Sequence, residues 1–81
     1  MYLEIVTPDV KAFEGEITGV KVPGVDGSFE ILNNHASIIS TLEKGEVRVQ
    51  GKGIEKTFTI DSGIVEMLDN KIVILAETIL N

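Results

Sequence analysis

The chain has no cysteine, two prolines, one histidine and one arginine among 81 residues. Without cysteine there can be no disulfide, no thiolate zinc site and no thiol nucleophile. The lack is consistent with a reducing compartment. Positive charge is also scarce, with seven basic against 13 acidic side chains and a formal charge of −6. The cations Lys11, Lys21, Lys44, Arg48, Lys52, Lys56 and Lys71 are scattered, and no two are adjacent. A nucleic-acid binder needs a basic stripe to neutralise phosphates, so nucleic acid is not expected as a partner. Attraction to an anionic lipid surface fails for the same reason. No apolar run approaches the ~20 residues that span a bilayer, and direct lipid insertion is not expected. Met1-Tyr2-Leu3-Glu4-Ile5 has no basic region ahead of an apolar stretch and does not read as a signal peptide.

A chain of this length makes one domain, here residues 1–81. Such a small domain buries only about 60% of the surface its unfolded chain exposes. Small domains are usually stapled by disulfides, a metal or a partner. With disulfides and thiolate metal sites excluded, a protein partner is the expected staple.

What is present is a period of two, the mark of β-strands. Tyr2–Val6 reads as a strand ended by Thr7-Pro8-Asp9. Val10–Glu14 and Ile17–Val22 follow, with Gly15 and Gly19 as interruptions that suggest a bulge or bend. Pro23-Gly24-Val25-Asp26-Gly27 is a turn. Ser28–Leu32 is a short strand, Asn33-Asn34-His35 a loop, and Ala36–Leu42 a further apolar stretch in which Ile38, Ile39 and Thr41 favour strand over helix. Glu46–Gln50 and Ile54–Ile60 alternate cleanly and form a hairpin with one wet face, reversed by Gly51-Lys52-Gly53. Ile64–Leu68 and Lys71–Ala76 form a last hairpin through Asp69-Asn70, a turn that tolerates left-handed backbone. This hairpin is apolar on both faces. The core of so small a chain covers only one of them, and the other must meet a second layer or another protein.

No catalytic constellation emerges. His35 has no cysteine or nucleophile-elbow serine to activate, and one histidine among oxygen ligands is a poor transition-metal site. It reads as a polar loop residue. Gly24-Val25-Asp26-Gly27 lacks the lysine and helix of a phosphate loop, and Asp26 would repel the anion. Asp26, Glu30 and Glu43 lack the spacing of a calcium loop. Lys52 and Lys71 lie near hairpin tips, as the modified lysine does in biotin and lipoate carriers. Neither has the Met or Ala neighbours usual there, so a carrier, or a generic β-sandwich adaptor, is the alternative reading. Expected are no enzyme activity, no cofactor, no metal and no small-molecule substrate.

Several fragments, weak singly, are specific in their order and spacing. They are Leu3-Glu4-Ile5-Val6-Thr7-Pro8, Phe13-Glu14-Gly15-Glu16, Val20 to Gly27, Ile31-Leu32-Asn33-Asn34-His35-Ala36-Ser37, Leu42-Glu43-Lys44-Gly45, Ser62-Gly63-Ile64-Val65-Glu66 and Leu75-Ala76-Glu77-Thr78-Ile79. Together they resemble the N-terminal domain of the epsilon subunit of the rotary ATP synthase over nearly the whole chain. Where the family has prolines on either side of the His loop, this chain has Asn33 and Ser37. Where the family has a glycine after the aromatic residue, it has Glu30.

The resemblance implies an all-β fold, a flattened β-sandwich of about ten short, mainly antiparallel strands. It implies a non-catalytic rotor subunit of a proton- or sodium-driven synthase, on the cytoplasmic face of the bacterial inner membrane. The partners it implies are the gamma subunit and the ring of c subunits. By family position Asp26, Gly27, Ser28, Glu30 and His35 are expected to meet the ring, whose polar loops would pair with Asp26 and Glu30. Val65, Met67, Val73 and Leu75, on the twice-apolar hairpin, are expected to meet gamma. The family normally continues into two helices that act as a brake. The chain as read lacks that C-terminal helical domain, and without it no braking of ATP hydrolysis is expected.

Overall fold

The alternation of apolar and polar side chains is converted into nine strands in the computed structural model, which describes residues 1–81. They are β1 (Tyr2–Val6), β2 (Lys11–Glu16), β3 (Gly19–Gly24), β4 (Gly27–Leu32), β5 (Ile38–Leu42), β6 (Gly45–Gly51), β7 (Ile54–Ile60), β8 (Gly63–Leu68) and β9 (Lys71–Ala76). Residue 79 adds an isolated bridge to Ile60. All strand pairs are antiparallel except β1 with β9.

Hydrogen bonding runs β2-β1-β9-β8-β5-β3-β6-β7, with β4 on β3. The link between β5 and β3 is a single pair, Gly24 with Leu42. That pair is the corner where a continuous sheet folds over into two layers, β5-β8-β9-β1-β2 and β4-β3-β6-β7. At the corner the Val25 N–H donates to the Thr41 carbonyl at 3.1 Å and the Glu43 N–H to the Pro23 carbonyl at 2.9 Å. Gly24 is required there, because a Cβ on it would stand 2.7 Å from the Gly27 carbonyl oxygen and 2.8 Å from the Phe29 ring.

Each layer contributes its inward face to one cluster of 16 buried apolar residues. Leu3, Ile5, Val65, Met67, Ile72 and Ile74 come from one side, and Val20, Val22, Ile31, Val47, Val49 and Ile60 from the other. No polar or charged residue is buried, so the interior carries no electrostatic cost.

The open side of the sandwich is closed by side chains rather than hydrogen bonds. Phe13 of β2 meets Phe58 of β7 edge to face, with ring centroids 6.2 Å apart, and Lys56 lays its ammonium 5.8 Å over the Phe13 ring. The last residues cover the outer edge of β7. The Leu80 N–H donates to the Thr59 carbonyl at 2.7 Å, and the Thr59 N–H to Asn81 Oδ1 at 2.8 Å. An edge blocked in this way cannot template pairing with another chain.

The turns follow their sequence chemistry. Asp69 and Asn70 both take left-handed backbone, with φ of 50° and 62°. This two-residue turn places Leu68 opposite Lys71 and fixes the register of the whole β8–β9 hairpin. Several boundaries differ from the sequence reading. Ile17 and Thr18 precede β3, which begins at Gly19 and runs on through Pro23 to Gly24. Gly15 does not interrupt β2 but pairs with Leu3 inside it, and Val10 lies before β2, largely exposed. Ala36 and Ser37 belong to the loop before β5, which begins at Ile38.

Candidate docking faces

The outward faces of the two layers differ in kind. On β4-β3-β6-β7 the register sets Glu30, Lys21, Arg48 and Thr57 side by side, with Gln50 beside Glu55 in the next row. All six are exposed, giving a solvated surface of mixed charge, with Leu32, 53% exposed, at its β4 end. On β5-β8-β9-β1 the corresponding rows are far richer in apolar side chains. Thr41, Ile64, Leu75 and Val6 form one row, and Ile39, Glu66, Val73 and Glu4 the next. Leu68 lies beside Lys71 and Tyr2. Ile39 is 73% exposed, Leu68 60%, Leu75 53% and Ile64 45%. One layer is therefore wet outside, whereas the other leaves a contiguous oily strip uncovered, as protein-binding surfaces do. At one end the strip deepens into a groove of about 560 Å³ lined by Val6, Thr41, Leu42, Ile64 and Leu75.

A network of charges borders the strip on β1, β2 and the start of β9. Lys11 Nζ lies 2.9 Å from Glu14 and 3.3 Å from Glu4, and Lys71 Nζ lies 3.2 Å from Glu4. The Tyr2 hydroxyl donates to Glu14. Lys71, and then Lys11, holds the Glu4 carboxyl below the usual carboxylate range. The Tyr2 hydroxyl bond, and then Lys11, does the same for Glu14. Its bond to Glu14 raises the Lys11 ammonium, and the bond Tyr2 makes to Glu14 raises the phenol. All five groups lie at the surface, Glu4 the least exposed of the charged ones, so the network adds little to stability. It does keep a fixed, charged border beside the apolar strip.

The structure redistributes the residues expected to meet gamma. Leu75 is exposed on the strip and Val73 is half-buried between Glu66 and Glu4. Val65 and Met67, however, point into the core with exposures of 0% and 1%. They are opposite Ile74 and Ile72, not Val73 and Leu75, so they hold the sandwich together and cannot reach a partner. The outward residues of β8 are Ile64, Glu66 and Leu68, joined by Ile39 of β5. Glu66 was the sequence signal for this. A carboxylate between Ile64 and Leu68 marks its own face as the outer one.

Asp26, Gly27, Ser28, Glu30 and His35 are all exposed, but they do not form one site. Asp26 sits in the tight turn between Gly24 and Gly27. His35 lies beyond the other end of β4, about 17 Å of extended chain away. There the Asn34 N–H donates to Asn70 Oδ1 at 3.0 Å, and Asn70 Nδ2 donates to Asn33 Oδ1 at 3.0 Å. The His loop is thus tied to the β8–β9 turn. His35 Nδ1 lies 2.8 Å from the Ala36 carbonyl, the bond of an ordinary loop histidine. Lys71, considered as a carrier lysine, has its ammonium engaged by Glu4.

Comparison with known proteins accounts for this architecture. The family described as the ATP synthase delta/epsilon chain β-sandwich domain matches residues 1–81. The ATP synthase epsilon chain of Chlorobium limicola is 40% identical over 78 residues, which cover 95% of this chain and 89% of that one. The epsilon chain of Salinibacter ruber is 35% identical over 86 residues, covering 95% of this chain but only 58% of its relative. The chain thus spans nearly all of one relative and little more than half of the other. A chain in the cryo-EM structure of Euglena gracilis mitochondrial ATP synthase (OSCP, F1 and c-ring) superposes with a TM-score of 0.88 at 17% identity, covering 96% of this chain and 51% of that one. This last likeness is one of fold. On the match of the complete sequence and the identity to the epsilon chains, the protein belongs to the ATP synthase epsilon-chain family, as its β-sandwich domain.

Proposed function

We propose that the chain is a non-catalytic rotor component of an ion-driven rotary ATP synthase, clamping the gamma subunit to the membrane ring of c subunits. It works on the cytoplasmic face of the bacterial inner membrane, where the ring emerges. The observation that carries this reading is the asymmetry of the sandwich. One layer has an outer face of mixed charge, and the other exposes Ile39, Ile64, Leu68 and Leu75 in a single strip. The oily strip is the gamma face. The β3–β4 turn and the strand β4 that leaves it, with Asp26, Gly27, Ser28 and Glu30, form the ring face, and their carboxylates suit the polar, basic loops of a c-ring. His35, at the far end of β4, lies outside that contact. Torque crosses the domain without slip because the transmitting body is a two-layered sheet around a single core, with short turns between strands.

The reading separates the two contacts by mutation. Asp26→Lys reverses one exposed charge in the turn and touches nothing in the core. Reconstituted with gamma and a purified c-ring, the variant should retain gamma at wild-type affinity. Its ring attachment should weaken about tenfold or more at low salt, and the difference should shrink as salt is raised. Unchanged ring attachment would remove the β3–β4 turn from the ring face.

A further inference from the structure

Glu66 is the charged side chain set in the middle of the apolar strip, two strands from Glu4 in the same row. The register places it between Ile39 of β5 and Val73 of β9, with Ile64 and Leu68 two residues away on either side of it in β8. It is exposed and makes no salt bridge, whereas the other carboxylates on the outward face of this layer are held, Glu4 and Glu14 by lysines and Glu16 by the N-terminal ammonium. The lysines within reach are already engaged. Lys71, diagonal to Glu66 across the hairpin, is drawn to Glu4, and Lys11 is shared by Glu4 and Glu14. Four carboxylates (Glu4, Glu14, Glu16, Glu66) face three ammoniums (Lys11, Lys71 and the N-terminus), and the uncompensated charge is that of Glu66. Glu66 also lines a separate notch of about 380 Å³, whose other walls include Ile38, Ile39, Met67 and Leu68.

An uncompensated carboxylate covered by an apolar partner surface would lose its water without replacement and weaken docking many-fold. A face built to be covered therefore requires its partner to supply a cation at this point. We propose that the surface docking on this face carries an arginine which enters the notch, lays its methylene stem on Ile39 and Leu68, and pairs its guanidinium with Glu66. Arginine suits the place better than lysine. Its planar fork binds a carboxylate through two bonds, and it is the more weakly hydrated of the two cations. The pair sets the orientation of the partner on a strip whose apolar contacts alone would tolerate sliding along the strands. The inference rests on the assignment of this strip as the gamma face.

The test is the affinity of the purified chain for cognate gamma, measured for the wild type, Glu66→Gln, Glu66→Leu and Leu75→Asp. Glu66→Gln should weaken binding about 30-fold or more, chiefly through faster dissociation. Glu66→Leu separates pairing from simple apolar contact. An unpaired glutamate would be a burden, and its replacement by leucine would strengthen binding, whereas a paired one leaves the partner's cation stranded and binding weakens. Wild-type affinity should fall with salt more steeply than that of Glu66→Gln. If Leu75→Asp abolishes binding while Glu66→Gln and Glu66→Leu bind as well as the wild type or better, the arginine pairing is overturned and the gamma-face assignment stands. If Leu75→Asp also binds normally, the face assignment falls and the pairing with it.

Discussion

Leu75→Asp is expected to cut the affinity for gamma about 100-fold or more while leaving the melting temperature within a few degrees of the wild type. The side chain is 53% exposed and sits mid-strip beside Ile64 and Val6. A carboxylate placed there costs the isolated domain little, because it stays in water. In a docked complex it would be desolvated against an apolar surface with no partner, which is how a residue at the centre of an interface becomes a hot spot. Pull-down or calorimetric titration against gamma, with a thermal melt of the same preparation, reads both quantities. Lost binding together with a collapsed melt would mean that Leu75 is structural. Retained binding would mean that gamma docks elsewhere.

One residue earlier in the chain the expectation reverses. Ile74→Ala should destabilise the domain by about 2–5 kcal/mol, since Ile74 is fully buried opposite Val65 and its removal leaves a cavity between the layers. At roughly 0.05–0.15 kcal/mol per residue, an 81-residue domain holds only about 4–12 kcal/mol in all. The loss therefore takes a large share of the total, and the melting temperature should drop on the order of 10–30 °C. The fraction that remains folded at low temperature should still bind gamma, because the outer strip is intact. Neighbouring residues on one strand would then fail in opposite ways, one in binding and one in folding. A melt unchanged by Ile74→Ala would contradict the burial of this face.

Why this separation was only half legible in the sequence is a matter of register. The alternation in Ile64–Leu68 and Lys71–Ala76 shows two apolar faces on each strand, but not which face of one continues into which face of the other. Grouping Val65 and Met67 with Val73 and Leu75 joins an inward pair to an outward pair. The two-residue turn at Asp69-Asn70 contained the answer, since it sets Leu68 opposite Lys71 and hence Val65 opposite Ile74. Other features were read correctly because they are local. The hairpin of β6 and β7 buries Val47 and Val49 while Glu46, Arg48 and Gln50 stay wet. The left-handed backbone at residues 69 and 70 follows from their side chains.

The layering was not local and could not be read in the same way. It depends on where the chain crosses between the layers, after β2, β4, β5 and β7, and on the single pair, Gly24 with Leu42, that joins the two sheets. Turn residues at Glu43-Lys44-Gly45 signal a reversal of the chain, not a change of layer. The spread of the loop residues is non-local for a related reason. Asp26 and His35 are nine residues apart in sequence, which suggests proximity, yet a strand lies between them and carries one to each end of the molecule.

Because the native chain has no cysteine, that contact can be mapped by single introduced thiols. Leu68→Cys reports the strip and Thr57→Cys the opposite, wet layer, both at exposed positions. The rate of maleimide labelling is measured with and without saturating gamma. The expected result is that gamma slows labelling at position 68 about tenfold or more and leaves position 57 unchanged. Protection at position 57 with free labelling at position 68 would contradict the assignment of the oily layer as the surface through which this domain is held to the rotor.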